Sequence, residues 1–229
     1  MNERLGLGSL ALELLKRLRP GEGPVPIPEI HAGYPSGILR EKLAEMAERG
    51  LLGLDGERVA ADAAQRLELA LFAVESGVRL DSIGKAMDWR GFEDFAEEIL
   101  RNMGFRCIKH LRFKGRRRAE VDLLAIGPLF ALSIDCKRWR RASEGAISRA
   151  AAAQGRRTRE LLEWLRGGGL GPAMGLPDIV PLWPILLTLQ DHRIKAVGGV
   201  AIVPISKLRD FVMRADPSGM GRGGCAIGP

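Results

Sequence analysis

Charged side chains with the types and spacing needed for hydrolytic chemistry lie in the middle of the chain. Asp135 and Lys137 end the apolar run LFALSIDCK, and in an extended strand they share one face because side chains alternate. Asp122 lies in the strand-like run AEVDLLAI, and a turn at Gly127-Pro128 separates the two runs. If these runs pair as a hairpin, the two aspartates meet at the same end. An ordinary ion pair at the end of a strand is the alternative for Asp135 and Lys137.

Two carboxylates at one point need a cation, because a buried and unpaired charge is costly. Oxygen ligands without His or Cys favour Mg²⁺ or Mn²⁺, and the backbone carbonyl of Cys136 could add a further oxygen. Lys137 could then orient or deprotonate a water molecule and offset charge on a phosphoryl group. Glu93, on the amphipathic helix GFEDFAEEILRNMGF, shares a face with Ala96 and Leu100. It could complete the ligand shell directly or through water.

The charge of the chain is unevenly distributed. Its 229 residues have a net charge of +7, yet residues 1–89 carry 11 Lys and Arg against 14 Asp and Glu. From Arg101 to Arg141 there are twelve basic residues and three acidic ones. Such a basic block is typical of proteins that bind a polyanion, because each Lys or Arg at a phosphate releases counterions. A solvated basic surface is the alternative.

The composition is that of a globular protein. A hydrophobic content of 46% supports a substantial core. No apolar run is long enough to span a bilayer and no secretory signal pattern begins the sequence, so we expect a cytoplasmic protein without membrane contact. Cys107, Cys136 and Cys225 are widely spaced and odd in number. They predict neither a disulfide framework nor a zinc site.

Residues 1–89 are predicted to form a mainly helical domain. Helical patterns begin near Ser9 and Ser36, with a short helix or turn in the Pro/Gly-rich segment between them, and the Asp55-Gly56 turn between short apolar runs predicts a hairpin. This order, with two further helices after the hairpin, resembles a winged helix-turn-helix domain. DNA contact and partner binding or dimerisation both remain open for this domain, because its third helix carries charges of both signs. These charges are Arg40, Lys42, Arg49, Glu41, Glu45 and Glu48.

Residues 90–214 show the alternation of an α/β domain. A helix near Gly91 is followed by a short strand around Cys107 and by the two strands that carry the aspartates. A long helix from Ser143 to Leu165, two strands and a final helix complete the pattern. Residues 215–229 are predicted to be a disordered tail.

These residues and their setting resemble a known nuclease motif. Glu93, then Asp122, then Asp135-Cys136-Lys137 are similar to the PD-(D/E)xK motif, in that order and on the expected elements. FEDFAEEILRNMGF looks like the opening helix of Mrr-type restriction endonucleases and archaeal Holliday-junction resolvases. EVDLLAIGPLFALSIDCK looks like their strand, turn and strand.

The resemblance covers residues 90–140 and departs from the family at two positions. Val121 stands where a proline often precedes the first aspartate, and Asp135 stands where glutamate or glutamine is common. Neither change removes a metal ligand. The resemblance implies a restriction-endonuclease-like mixed sheet flanked by helices. The implied catalytic residues are Glu93, Asp122, Asp135 and Lys137.

Further residues around the motif are predicted to contact DNA. Arg149 and Gln154 follow from the resemblance, in which the next long helix touches the site or the DNA, and solvated helix positions are the alternative. Trp139 could stack on a base or cover the edge of the core. His110 is predicted to be a surface histidine. The complete predicted DNA-binding set is Arg116, Arg117, Arg118, Arg138, Trp139, Arg140, Arg141, Arg149 and Gln154.

Together these features predict a DNA endonuclease that depends on Mg²⁺ or Mn²⁺. We expect it to act on double-stranded or branched DNA in repair, recombination or restriction, and a homodimer would most simply make two nicks. One alternative is a non-catalytic winged-helix DNA-binding regulator. The other is an adaptor whose acidic N-terminal domain docks a DNA-processing protein. The carboxylate cluster argues against a mere scaffold, because a scaffold has little reason to retain its cost.

Overall fold

The chain folds into two compact units. The structure is a computed structural model that describes residues 2–19, 21–139, 141–169 and 181–215. The units are Met1–Phe95 and Ala96–Pro229, so the division falls inside helix α5 (Trp89–Asn102). The domain boundary predicted after residue 89 lies near the start of this helix and before the division between the units, and it stays a prediction.

The N-terminal unit combines helices with a small sheet. Its elements are α1 (Asn2–Arg17), β1 (Val25–Pro26), α2 (Ser36–Glu48), β2 (Gly53–Asp55), β3 (Arg58–Ala60), α3 (Ala63–Glu75) and α4 (Leu80–Ala86). The strands pair antiparallel in the order β1-β3-β2. Asp62 caps the N-terminus of α3 through a capping box. Its side chain accepts from the backbone N–H of Gln65 at 2.8 Å, and the Gln65 side chain accepts from the backbone N–H of Asp62 at 3.0 Å. The winged-helix resemblance of this unit stays a prediction.

The C-terminal unit is built on a mixed sheet. Its elements after α5 are β4 (Arg106–Lys114), β5 (Arg118–Ile126), β6 (Ala131–Lys137), α6 (Glu144–Arg166), β7 (Leu182–Thr188), β8 (Ala196–Val197), β9 (Val200–Pro204) and α7 (Leu208–Met213). In the described residues the sheet has six strands in the order β4-β5-β6-β7-β9-β8. Pairing is antiparallel from β4 to β6, parallel from β6 through β7 to β9, and antiparallel again at β8.

Helix α6 packs along the sheet through one stripe of side chains. Ser143 caps its first turn by accepting from the Ala146 N–H at 3.2 Å. Near this end Ile147 and Ala151 join a core cluster with residues of β7 and β9, and Leu161 joins a second cluster with β4 and β5. Polar residues continue the stripe between the two apolar ends. They are the fully buried Gln154 and Thr158.

The α/β class and the order of the main elements are confirmed. Two details of the sheet differ from the sequence prediction: β4 is a nine-residue strand where a short one was expected, and β8 was not predicted. The length of β4 was hidden because it is an edge strand with many exposed charged side chains. Among the described residues, no helix is long and apolar enough to cross a bilayer. Cys225 and the tail from residue 216 onward lie outside the described residues.

Candidate active site

Asp135 and Lys137 lie together at the C-terminal end of β6. The Lys137 Nζ is 2.8 Å from Asp135 Oδ2, and the lysine side chain is 31% exposed. Asp135 itself is only 4% exposed, because β6 runs between β5 and β7 in the middle of the sheet. The adjacency expected from strand alternation is therefore present. The lysine reaches solvent while the carboxylate does not.

Asp122 is brought to the same end of the sheet by the β5–β6 hairpin. The pairing of the two strands ends with Leu123 opposite Ile134, so Asp122 and Asp135 are the next residues on each strand. Asp122 Oδ2 accepts a hydrogen bond from the backbone N–H of Cys136 at 2.8 Å. This bond fixes the Asp122 carboxylate beside that of Asp135.

The electrostatics of Asp122 are unfavourable for its ionised form. Burial raises the pKa of its carboxyl above the ordinary value, and the neighbouring charge of Asp135 acts in the same direction. The Cys136 N–H and the charges of Lys137 and Arg157 act in the opposite direction without reversing the shift. The ionised carboxylate is thus less stable in the fold than in water, and a bound cation would relieve that cost.

The alternation of side chains between the two faces of the sheet is interrupted in β4 and β5 at the site. Pairing of β4 with β5 runs through Lys109 opposite Leu123 and then Leu111 opposite Val121, which leaves His110 and Asp122 at the interruption. His110 has a φ of 49°, a left-handed conformation that strains residues other than glycine.

Strict alternation along β5 is consequently wrong. Strict alternation would place Val121 and Leu124 on opposite faces of the strand, but both belong to one core cluster. The interruption at Asp122 shifts the alternation by one residue. His110 is exposed as predicted, and its Nδ1 lies 3.4 Å from Glu120 Oε1.

Helix α6 contributes a buried polar network to the site. The Gln154 side-chain amide donates to the Ser133 carbonyl at 2.7 Å and to Ser133 Oγ at 3.2 Å. Thr158 Oγ1 lies 3.0 Å from Ser133 Oγ. Gln154 was predicted to touch DNA, but it is 0% exposed, so in this structure it ties α6 to β6 instead. That part of the DNA-binding prediction is corrected.

Arg157 is a site residue that the sequence reasoning missed. Its Nη1 donates to Asp135 Oδ1 at 2.9 Å and to Gln154 Oε1 at 2.8 Å, with 27% of the side chain exposed. The available signal was its position three residues after Gln154, which places both on one face of a helix. Arg149, which was predicted instead, lies five residues before Gln154 on another face and is exposed.

The donor set fits a hard divalent cation in part. Asp122 and Asp135 supply carboxylate oxygens at one point, and the raised pKa of Asp122 shows that the neighbouring cations do not fully offset its burial. Among the described residues no group of three or more His, Cys, Asp and Glu could hold a metal ion. Glu93 is 5% exposed on α5 and belongs to the N-terminal unit. Its participation, like that of the Cys136 carbonyl, stays a prediction.

Two of the three cysteines lie in the described residues. Cys107 and Cys136 are not joined by a disulfide. Burial raises the pKa of the Cys107 thiol to about 11, so it stays protonated at neutral pH.

The predicted DNA-binding residues fall into separate surfaces. Arg116, Arg117 and Arg118 are exposed at the turn between β4 and β5. Trp139 is partly buried and packs against the core cluster of α6, β7 and β9, which favours its alternative role at the core edge. Arg138 is partly buried, and Arg141 is exposed. Arg140 lies outside the described residues.

Comparison with known proteins identifies the class of this domain. A family model of restriction endonucleases, Mrr_cat, matches residues 84–159. The C-terminal α/β unit is thus a restriction-endonuclease-like domain of the PD-(D/E)xK superfamily, as the resemblance implied. Within that superfamily the match is to the Mrr-type catalytic domain, a restriction endonuclease domain.

Two other comparisons add little. The solved structure of protein VC1899 from Vibrio cholerae aligns with 92% of this chain at 15% identity and a TM-score of 0.36. The chain spans about half of that protein, 49% of its length. An alignment at this TM-score does not establish a shared fold. No curated protein matches the chain.

Proposed function

We propose that the protein is a DNA endonuclease that depends on Mg²⁺ or Mn²⁺ and hydrolyses phosphodiester bonds in repair, recombination or restriction. The observation that carries the proposal is the meeting of Asp122, Asp135 and Lys137 at the end of a hairpin inside the region that matches restriction endonucleases. An ion pair of Asp135 with Lys137 does not by itself explain the second carboxylate, whose ionised form is disfavoured by burial. A cation site uses both.

Each residue has a distinct role in this proposal. Asp122 and Asp135 would hold the metal ion, with Glu93 and the Cys136 carbonyl as further ligands. When bound, the metal would polarise the phosphate and help to activate water. Lys137 stays close to the carboxylates and reaches solvent, so it can orient the attacking water or neutralise charge on the phosphoryl group. Gln154 holds β6 and α6 in register beneath these groups.

The exposed arginines would bind phosphates of the DNA backbone. Arg116, Arg117 and Arg118 occupy the β4–β5 turn at one end of the hairpin strands, and Arg141 follows the site-bearing strand β6. Guanidinium groups suit phosphates because they can form two parallel hydrogen bonds. These residues would therefore supply affinity for DNA without sequence readout.

A cleavage panel tests the proposal. The parent protein and the variants Asp122→Asn, Asp135→Asn and Lys137→Gln would be incubated with duplex, flapped, branched and single-stranded DNA, with Mg²⁺ or with a chelator. Asp191→Asn is the matched control, because Asp191 is also an ion-paired aspartate but pairs with Lys195 and Lys207. We expect cleavage by the parent and the control alone. Persistent cleavage by the site variants would reject the site, and no cleavage of any DNA by the parent would favour the regulator.

The N-terminal unit has a second candidate role, docking of a protein partner. The basic residues of α2 and of its C-terminal cap are paired with glutamates: Arg40 Nη2 lies 2.6 Å from Glu57 and Arg49 Nη2 lies 2.9 Å from Glu45. Lys42 is also 3.3 Å from Glu45. Charges neutralised in this way contribute little to counterion release from DNA. Equal salt dependence of DNA binding in the parent and in Arg40→Gln would support this role, and a shallower dependence in the variant would contradict it.

A further inference from the structure

Within the C-terminal unit, the charges at the candidate site cancel without a metal ion. Asp122 and Asp135 contribute two negative charges, and Lys137 and Arg157 contribute two positive ones. The positive charges are not remote, because both cations contact the buried Asp135 carboxylate, at 2.8 and 2.9 Å. A divalent cation entering this group would therefore create a local excess of two positive charges. In a half-buried site that excess opposes metal binding.

A bound DNA phosphate would remove this excess. Phosphate groups bring negative charge to the same place, and Arg157 can offer them its remaining N–H groups because its side chain is 27% exposed. Metal and DNA would then favour each other's binding, and the coupling must be reciprocal because it is a free energy shared by two sites.

Resting on the proposed nuclease function, we propose that Arg157 makes binding of a divalent metal ion at Asp122 and Asp135 depend on bound DNA. In the protein without DNA, its guanidinium supplies Asp135 with positive charge that a metal would otherwise supply. With DNA bound, the remaining N–H groups of the same guanidinium bind phosphate. The negative charge of the phosphate then offsets the positive charge of the guanidinium, so the carboxylates can bind the metal. Arg157 is thus a positioning residue that acts through Asp135.

Its bond to Gln154 explains how the guanidinium is held for this role. Gln154 Oε1 accepts from the same Nη1 atom at 2.8 Å, and the Gln154 amide is fixed on Ser133. A buried glutamine with both ends bonded keeps one orientation. Arg157 is therefore held at Asp135 by a rigid partner and not only by charge, which separates it from the exposed arginines of the same helix.

The test measures metal binding directly and does not depend on cleavage. Mn²⁺ binding would be followed from the electron paramagnetic resonance signal of free Mn²⁺, with and without a short duplex DNA whose phosphorothioate linkages resist hydrolysis. The proteins are the parent, Arg157→Gln, Arg157→Lys and Arg156→Gln. Arg156 is a matched control because it is the exposed neighbour on α6 and its change removes the same charge.

We expect DNA to tighten Mn²⁺ binding by the parent about tenfold or more, the effect of one unit charge at a partly buried site. Arg157→Gln should tighten DNA-free binding by about tenfold and shrink the effect of DNA, whereas Arg156→Gln should resemble the parent. Arg157→Lys should also resemble the parent, because it retains the positive charge. It loses only the geometry of the guanidinium.

Three outcomes would overturn the inference. If Arg157→Gln matches Arg156→Gln while the parent binds Mn²⁺, the charge of Arg157 does not control the site, and the proposed nuclease function survives. If Arg157→Lys behaves like Arg157→Gln, the arginine acts through its shape alone. If the parent binds no Mn²⁺ even with DNA, the proposed function fails and the inference with it.

Discussion

The two aspartates of the site are expected to have opposite effects on stability. Asp135 is buried and contacts two cations, so its carboxylate stabilises the fold. Asp122 accepts from a neutral backbone N–H and lies beside another carboxylate, and its pKa is raised by burial. A raised pKa for an acid means that the ionised form is disfavoured in the fold. We therefore expect that replacing each aspartate by asparagine changes the free energy of unfolding in opposite directions.

The magnitudes follow from these contacts. Asp135→Asn weakens two charge-assisted hydrogen bonds, worth about 1.5–3 kcal/mol each, but Lys137 and Arg157 are partly exposed and regain water. We therefore expect a loss of about 2 kcal/mol in the free energy of unfolding. Asp122→Asn keeps an oxygen for the Cys136 N–H and removes both burial of charge and repulsion. It should raise the free energy of unfolding by about 1 kcal/mol.

Urea unfolding at pH 7 with a chelator, followed by tryptophan fluorescence, measures both changes. Trp139, Trp164 and Trp183 lie in the C-terminal unit, so three of the four tryptophans of the chain report on the unit that holds the site. A double-mutant cycle then gives the coupling of the two carboxylates. Loss of stability in Asp122→Asn, or a gain in Asp135→Asn, would refute this view of the site's electrostatics.

Three further outcomes are expected. Gln154→Leu should lower the free energy of unfolding by about 2 kcal/mol, because it leaves the buried Ser133 carbonyl without the amide donor, whereas the exposed Arg149→Leu should change urea unfolding little. The Lys195 and Lys207 partners lower the pKa of Asp191 to about 2, so Asp191→Asn should cost less than about 1 kcal/mol, discounted for exposure. Because its pKa is lower in the folded protein, ionised Asp191 stabilises the fold at pH values above its unfolded-state pKa, and this stabilisation is lost as the pH falls toward 2. The free energies of unfolding of the parent and of Asp191→Asn should therefore converge in acid, and a difference that stays constant with pH would contradict this. Joint replacement of Arg116, Arg117 and Arg118 by glutamine should weaken DNA binding and make the slope of log affinity against log salt shallower by about 2–3, and an unchanged slope would exclude phosphate contacts by this turn.

The main lines of the site could be predicted from local sequence. Strand alternation placed Asp135 beside Lys137, and the Gly127-Pro128 turn placed Asp122 at the same end of the hairpin, because both depend on the period of an extended chain. The shift at His110 was not predictable in this way. A single residue with φ of 49° has no signature in the alternation of apolar residues, yet it changes which side chains of β5 share a face.

The contribution of α6 was predicted only in part, since Gln154 was a candidate and Arg157 was not. Polar residues on a helix are usually solvated, so Arg157 could not be told from Arg156 without knowing which stripe faces the sheet. The apolar positions Ile147, Ala151 and Leu161 define that stripe, and Gln154 falls on it. This apolar stripe alone predicts that Gln154 is buried and that Arg157 lies next to it on the helix. The partners of Arg157 on β6 still required the tertiary structure.

Asp122 is the residue that a purely structural account of the site leaves unexplained. An asparagine or a serine at that position could accept the same hydrogen bond from Cys136 without placing a charge in a buried setting next to Asp135. The charges of Lys137 and Arg157 favour the ionised form of Asp122, but they do not reverse the rise in its pKa that burial causes. A residue type whose ionised form is disfavoured in the folded protein is expected where function, not stability, determines the side chain. The stability gain predicted for Asp122→Asn and the loss of cleavage predicted for the same variant are therefore two consequences of one cause.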